Sequence, residues 1–367
     1  MISAFAIVVI VALAWFVVLT RHDAPAPTPL RASPTSRFPN LPLLHLTKAW
    51  SFVTGGAVFS SPAVSGNLVV VGSDDGSVYA LDATTGALRW KRTTGGPVRS
   101  SPVISGTRVF VGSNDGSLYA LDLATGSVAW KASIGYEIVS SPAVAGGIVV
   151  VGSDRLYAFD TATGASRWTF TPGKAIVSSP AIAAGTVVVG SNDARLYGVA
   201  LSTGKERWHF TTGAGIQSSP AIADGVAYVG GLDGNLYAIN VANGTSRWSI
   251  DLGSPVKSSP VVSRGRVFVG TDAGKLVSVA VVGGTLQWTF NASESIDSSP
   301  TAVGDIVAVG SDDDNVYAVA TQSGTLEGAY QTLGAVLSSP QAVGTNIAIG
   351  SNDNKIYEIA WLTAPRG

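Results

Sequence analysis

Val58-Phe-Ser-Ser-Pro-Ala-Val64, Leu68-Val-Val-Val71, Gly72-Ser-Asp-Asp-Gly76, Val78-Tyr-Ala-Leu81 and Asp82-Ala-Thr-Thr-Gly86 follow one another in a single stretch that ends in Ala87-Leu-Arg-Trp90. Four short apolar runs alternate with tight turns. The run at Leu68–Val71 is continuous and β-branched, as expected of a strand covered on both faces. Gly72–Gly76 and Asp82–Gly86 read as hairpin turns, because glycine tolerates positive φ and aspartate caps its own backbone. A helical reading fails: glycine or proline interrupts most windows of helical length, and the rest lack a 3.6-residue period. Four antiparallel strands make one blade.

The unit repeats. Ser-Ser-Pro ends at Pro62, Pro102, Pro142, Pro180, Pro220, Pro260, Pro300 and Pro340, in steps of 40 residues with a single step of 38. The short step falls in the third repeat, where Ser153-Asp-Arg155 makes a tighter turn. A period near 40 made of strands and glycine turns predicts an all-β, eight-bladed β-propeller of four-stranded blades. Tyrosine marks the third strand at Tyr79, Tyr119, Tyr157, Tyr197, Tyr237, Tyr317 and Tyr357, with Val277 the exception. Tryptophan marks the fourth strand at Trp90, Trp130, Trp168, Trp208, Trp248 and Trp288, and the seventh repeat has Gly328 there. The eighth repeat stops after its third strand at Ala360. Upstream of the first repeat, Ala49-Trp50-Ser-Phe52 is a fourth strand without its first three, and Trp50 is in register with Trp90. The N-terminal strand is therefore expected to complete the eighth blade, closing the ring and removing both free sheet edges.

The chain as a whole sets further bounds. Charged residues are 13% of 367, and 23 basic against 24 acidic side chains leave no footprint for nucleic acid. Cysteine is absent, which excludes disulfides, thiolate metal sites, covalent c-type haem and an acylated cysteine. Residues 1–20 read as a transmembrane helix or signal anchor: Ile2–Thr20 is apolar apart from Ser3 and Thr20, and as a helix would reach roughly 28 Å. Ala24 and Ala26 offer a cleavage site, but Pro27 follows directly, so an uncleaved anchor is the preferred reading. Trp15 and Phe16 suit its interfacial end. Residues 21–46, with prolines at 25, 27, 29, 34, 39 and 42, read as an extended tether. The propeller is then 47–362 and the tail 363–367. Arg21, Arg31 and Arg37 follow the apolar segment, and the positive-inside rule taken literally would keep the domain cytoplasmic, although long domains cross largely regardless of such charges.

The string Tyr79-Ala-Leu-Asp-Ala-Thr-Thr-Gly86 followed by Trp90, with its relatives from Trp50 to Ala360, resembles the pyrroloquinoline-quinone-like repeat. The resemblance implies an eight-bladed ring in which Trp50, Trp90, Trp130, Trp168, Trp208, Trp248 and Trp288 dock between neighbouring blades. One branch of that family comprises quinone- and calcium-dependent alcohol dehydrogenases; the other is the non-catalytic BamB-like branch. The near-invariant spacing leaves no long loops to build a cofactor lid, and the adjacent cysteine pair of the dehydrogenases is impossible here. The BamB-like branch fits better, although its lipidated cysteine is missing; the anchor would replace it. The resemblance thus implies a non-enzymatic, extracytoplasmic protein-binding scaffold, with no cofactor and with contacts to protein partners and the membrane. The alternatives are a small quinone-dependent oxidoreductase and a sensor or carbohydrate-binding propeller.

Single residues add little chemistry. His209 reads as a surface residue, and the Ser-Ser-Pro serines as partners for backbone groups near the axis. Asp312-Asp-Asp-Asn315 has oxygen ligands for calcium but aligns with the hairpin turns and lacks a distal glutamate. Asn243-Gly-Thr245 and Asn291-Ala-Ser293 match the glycosylation pattern. The position before each Ser-Ser-Pro varies freely: Phe59, Arg99, Val139, Val177, Gln217, Lys257, Asp297 and Leu337. A position released from packing is a candidate rim. With the neighbouring loop residues, the expected partner-binding surface comprises Phe59, Arg99, Tyr136, Glu137, Gln217, Lys257, Glu294 and Asp297.

Overall fold

The computed structural model describes residues 45–362, and all its regular structure there is β. The expected membrane helix, most of the proline-rich tether and the tail lie outside the described residues. Thirty-two strands form eight separate four-stranded antiparallel sheets. In blade 1 the order from axis to periphery is β2 (Ala63–Ser65), β3 (Leu68–Ser73), β4 (Ser77–Asp82) and β5 (Leu88–Thr93). The next six blades repeat this order.

Blade 8 is different. Its inner strands are β30 (Gln341–Val343), β31 (Asn346–Ser351) and β32 (Lys355–Leu362), and its outer strand is β1 (His45–Val53). Strand β1 pairs antiparallel with β32 from His45 opposite Leu362 to Val53 opposite Lys355. The ring is closed by the first and last of the described strands. The pairing starts at His45, inside the stretch read as tether, and β32 runs two residues past Ala360; each end recruits the other's backbone hydrogen bonds.

Packing follows the sequence period. Strand β4 is buried at every residue and β3 at all but its first, because blades cover both of their faces. Outer strands alternate, with Trp90 buried and its neighbours exposed. The tryptophans pin blade to blade. The Trp50 indole lies on Gly86, whose φ of 70° presents a bare Cα to the ring, and its Nε1–H donates to the Ala83 carbonyl at 3.0 Å. Trp90, Trp130, Trp168, Trp208, Trp248 and Trp288 repeat this donation onto the following blade. The exception at Gly328 has a topological cause. A tryptophan there would need the turn between the third and fourth strands of blade 8, and those strands, β32 and β1, are not joined by a hairpin.

The Ser-Ser-Pro motif closes the centre, as the sequence reading expected. Ser61 N–H donates to Ser101 Oγ at 2.9 Å, and each second serine does the same to the next blade until Ser339 N–H returns to Ser61 Oγ at 2.9 Å. The first serine of each motif is buried and its Oγ accepts the N–H of the glycine after the second strand, as Ser60 does from Gly72 at 3.0 Å. These hydroxyls are spent on backbone groups, which removes them as nucleophiles.

Candidate functional site

One end of the disc carries the β3–β4 type of turn and the crossovers between blades. A half-buried aspartate organises seven of the eight sectors. Asp75 accepts the Gly55 N–H at 3.1 Å and the Tyr79 hydroxyl, fastening turn to crossover. Burial pushes the Asp75 carboxyl up, but the bonds from Tyr79 and Lys91 outweigh it and hold the group below its usual range. The tyrosine missing at Val277 is explained here, since the aspartate position of that blade is Ala273.

The residues before each Ser-Ser-Pro lie at this end; Arg99 and Gln217 meet the turn of the preceding blade, and Lys257 meets the turn of its own. Arg99 forks onto Asp74, with Nε and Nη2 at 3.0 and 2.9 Å from its two oxygens, and its guanidinium lies 5.0 Å over the Phe59 ring. Gln217 Nε2 donates to Asn192 Oδ1 at 3.4 Å. Lys257 bonds Asp272 at 2.8 Å and lies 3.6 Å from Asp297. Glu137 is exposed and receives only a long contact from Asn114 Nδ2 at 3.5 Å. Tyr136 is 58% exposed and Glu294 is exposed beside the acidic sector. All eight expected rim residues therefore lie on one end, though in separate sectors.

The second half of each pair is not evident from the sequence. Asp74, Asn192, Asp272 and Asp312 occupy equivalent turn positions and present oxygens to the rim. They looked like turn-formers. The side-chain Oδ1 atoms of Asn114, Asp272, Asp312 and Asn352 are buried without a partner, so the rim has acceptors in excess of donors. Asp312 is pushed up to about 6, chiefly by burial, with the charges of Asp297 and Glu294 adding to it. Asp272 is raised as well, by burial, with Lys257 opposing and Asp297 reinforcing the shift.

A raised folded-state pKa destabilises the ionised fold. Stability from this group is therefore fully present below the unfolded value near 3.8 and is lost as pH rises through about 6. Asp312→Asn is expected to raise the neutral-pH midpoint slightly, by under about 1 kcal/mol because the group is solvent-screened. It should also flatten the change between pH 4 and 7. Paired melts of the two proteins across that range check this.

The 38-residue repeat leaves its mark too. The shortened turn at Ser153–Arg155 opens a notch of about 310 Å³ lined by Tyr136, Glu137, Val139, Asp154, Ile176 and Val177. Asp312-Asp-Asp-Asn315 does not converge on a point: Asp313 accepts Tyr317 and the Ser293 N–H, and Asp314 sits at a φ of 68°. His209 is exposed and bonds Glu206 at 2.7 Å.

The match that decides the family spans residues 47–137, 120–255 and 192–340, to the family described as outer membrane protein assembly factor BamB. The chain belongs to this PQQ-like repeat family. Among curated proteins no sequence matches. Of solved structures, BamB from Moraxella catarrhalis is similar at TM-score 0.77 and 19% identity, covering 86% of this chain and 100% of that one. The computationally designed Ika8 protein follows at 0.75 and 18%, covering 84% and 98%. A europium-containing methanol dehydrogenase stands at 0.74 and 15%, covering 86% and 93%. At these identities the structural likeness shows the fold alone.

The dehydrogenases imply a quinone over the axis, and the residues of this PQQ-like chain do not fit one. That quinone is a tricarboxylate and needs cations at the mouth. Of the cations before Ser-Ser-Pro, Arg99 and Lys257 are engaged by Asp74, Asp272 and Asp297, and the buried unpartnered side-chain atoms of the turns beside them are oxygens.

Proposed function

We propose that this protein is a membrane-anchored, extracytoplasmic propeller whose rim binds a protein partner, in the manner of a non-enzymatic assembly scaffold. The rim itself carries the reading. Within a repeat that otherwise spends its residues on packing, the variable positions collect on one end of a rigid disc, paired two by two and short of donors. Loops of equal length present such groups in fixed positions, and function on a propeller lies in these loops rather than in the fold. The BamB family membership and the lack of fit for an anionic quinone support the scaffold over an oxidoreductase.

Arg99→Glu combined with Lys257→Glu places like charges against Asp74 and Asp272. A partner recovered from solubilised membranes with the unchanged protein is expected to fall by roughly tenfold or more with the double variant, its fold retained by circular dichroism. Equal recovery would remove the rim from consideration. Adding the quinone with calcium is expected to give no bound absorbance; a stoichiometric spectrum would favour the oxidoreductase.

A further inference from the structure

The disc is electrically two-sided. Among the described residues, the rim end holds fifteen carboxylates and nine cationic side chains, whereas the opposite end holds ten cations and seven carboxylates, with Glu358 buried between them. The cause is visible in the repeats. In blades 1 to 3 the turn before the fourth strand opens with Asp82, Asp122 or Asp160, and two of these neutralise Arg89 and Arg167. In blades 4 to 7 the same position is Ala200, Asn240, Ala280 and Ala320; the cation before the tryptophan remains in blades 4 and 5, as Arg207 and Arg247, and gives way to Gln287 and Glu327 in blades 6 and 7. Lys205, Arg207 and Arg247 are exposed; Arg207 bonds only the Thr186 hydroxyl and Arg247 only the Asn240 amide oxygen.

The same end also displays apolar groups to water. Val282, at the tip of a blade 6 turn, is 87% exposed, and Leu88, Val128 and Leu286 stand exposed where their outer strands begin. Finally, the chain enters the disc here, because His45 pairs with Leu362 at this end of β1 and β32.

We propose that this basic face rests on an anionic lipid surface, directing the acidic rim away from the membrane. Each feature has its part. Cations near a negatively charged bilayer are attracted over about a Debye length, and long arginine and lysine side chains keep contact with headgroups while their stems cover apolar surface. Val282 and Leu286 reach the acyl boundary, as apolar residues of interfacial segments do. The apolar stretch Ile2–Thr20 precedes His45 in sequence, and on the proposed anchor reading, on which this part of the argument rests, the tether joins the disc at its basic end. The proposal stands on the propeller's own surface and does not depend on what the rim binds.

The chain has no cysteine, so single labels are clean. Full-length protein carrying Val282→Cys or Tyr136→Cys with a fluorophore is placed in nanodiscs of phosphatidylcholine alone or with phosphatidylglycerol at roughly one third. Quencher attached to the lipid is expected to quench the Val282→Cys label several-fold more in anionic discs, and salt should abolish the difference. The Tyr136→Cys label should stay unquenched throughout. Lys205→Glu, Arg207→Glu and Arg247→Glu together should weaken the docked state by about a hundredfold and return quenching to the neutral-disc level. Equal quenching of both labels overturns the proposal. So does a Val282→Cys label that stays in water in every disc, the result expected if an acidic protein, not lipid, covers this face.

Discussion

A chain stopped before Ile347 is expected to lose cooperative unfolding. The cut removes β31 and β32, and with them Ile347, Ile349, Ile356, Tyr357 and Ile359, all buried between blades. At about 2 kcal/mol for each large buried side chain the loss is about 10 kcal/mol, the size of a domain's whole stability of about 5–15 kcal/mol. The damage spreads in both directions. Strand β1 loses its only hydrogen-bonded neighbour, Trp50 loses the strand beneath it, and Val58, Val69 and Val71 of blade 1 lose Ala348 and Ile356 from their cluster. Denaturant unfolding followed by tryptophan fluorescence and by far-ultraviolet circular dichroism should give broad, non-coincident transitions. A truncated chain with the midpoint and slope of the full one would sink the closed ring.

Most of the architecture was legible because a repeat is its own internal control. The spacing of Ser-Ser-Pro sets the number of blades, and Trp50, in register with Trp90, already points to the head-to-tail closure. The exceptions were legible only as exceptions. Gly328 became intelligible once blade 8 proved to lack a hairpin between its outer strands, and Val277 once Ala273 proved to be its lost partner. The first reason is a contact between blades, which no single repeat displays; the second lies four residues apart within one repeat, where the loss of aspartate and tyrosine together is the signal.

The site was legible by half. Variation before Ser-Ser-Pro singled out Phe59, Arg99, Gln217, Lys257 and Asp297, because a position free of packing shows its freedom in sequence. Their partners Asp74, Asn192 and Asp272 were hidden, since aspartate and asparagine in a tight turn need no explanation beyond the turn. The two-sidedness of charge was hidden more thoroughly. A net charge of −1 describes a sum, and the sum cancels an acidic end against a basic one. Only the alternation of strands, which sends every second turn to the opposite end, separates them.

That alternation rests on close approach between blades, and Gly112→Ala should show how close. A Cβ on Gly112 would stand 2.8 Å from Ile138 Cβ and 3.0 Å from the Ile138 carbonyl oxygen, nearer still to Cγ2. Ile138 is fully buried, so it has nowhere to go. The Gly112 N–H is also tied to Ser100 Oγ at 3.1 Å, which stops the backbone from yielding. Overpacking of this kind costs about 3 kcal/mol. Gly106→Ala supplies the contrast: nothing lies within 4 Å of its Cβ, and only its φ of 58° opposes alanine, a cost of about 1–2 kcal/mol. Thermal or chemical melts of the two variants should therefore separate by more than their shared glycine-to-alanine change allows. Trimming the obstacle, with Ile138→Ala added to Gly112→Ala, should recover part of the loss even though Ile138→Ala alone destabilises. Equal damage from Gly112→Ala and Gly106→Ala, with no recovery on trimming, would mean that backbone conformation and not contact between blades sets the glycine at this position.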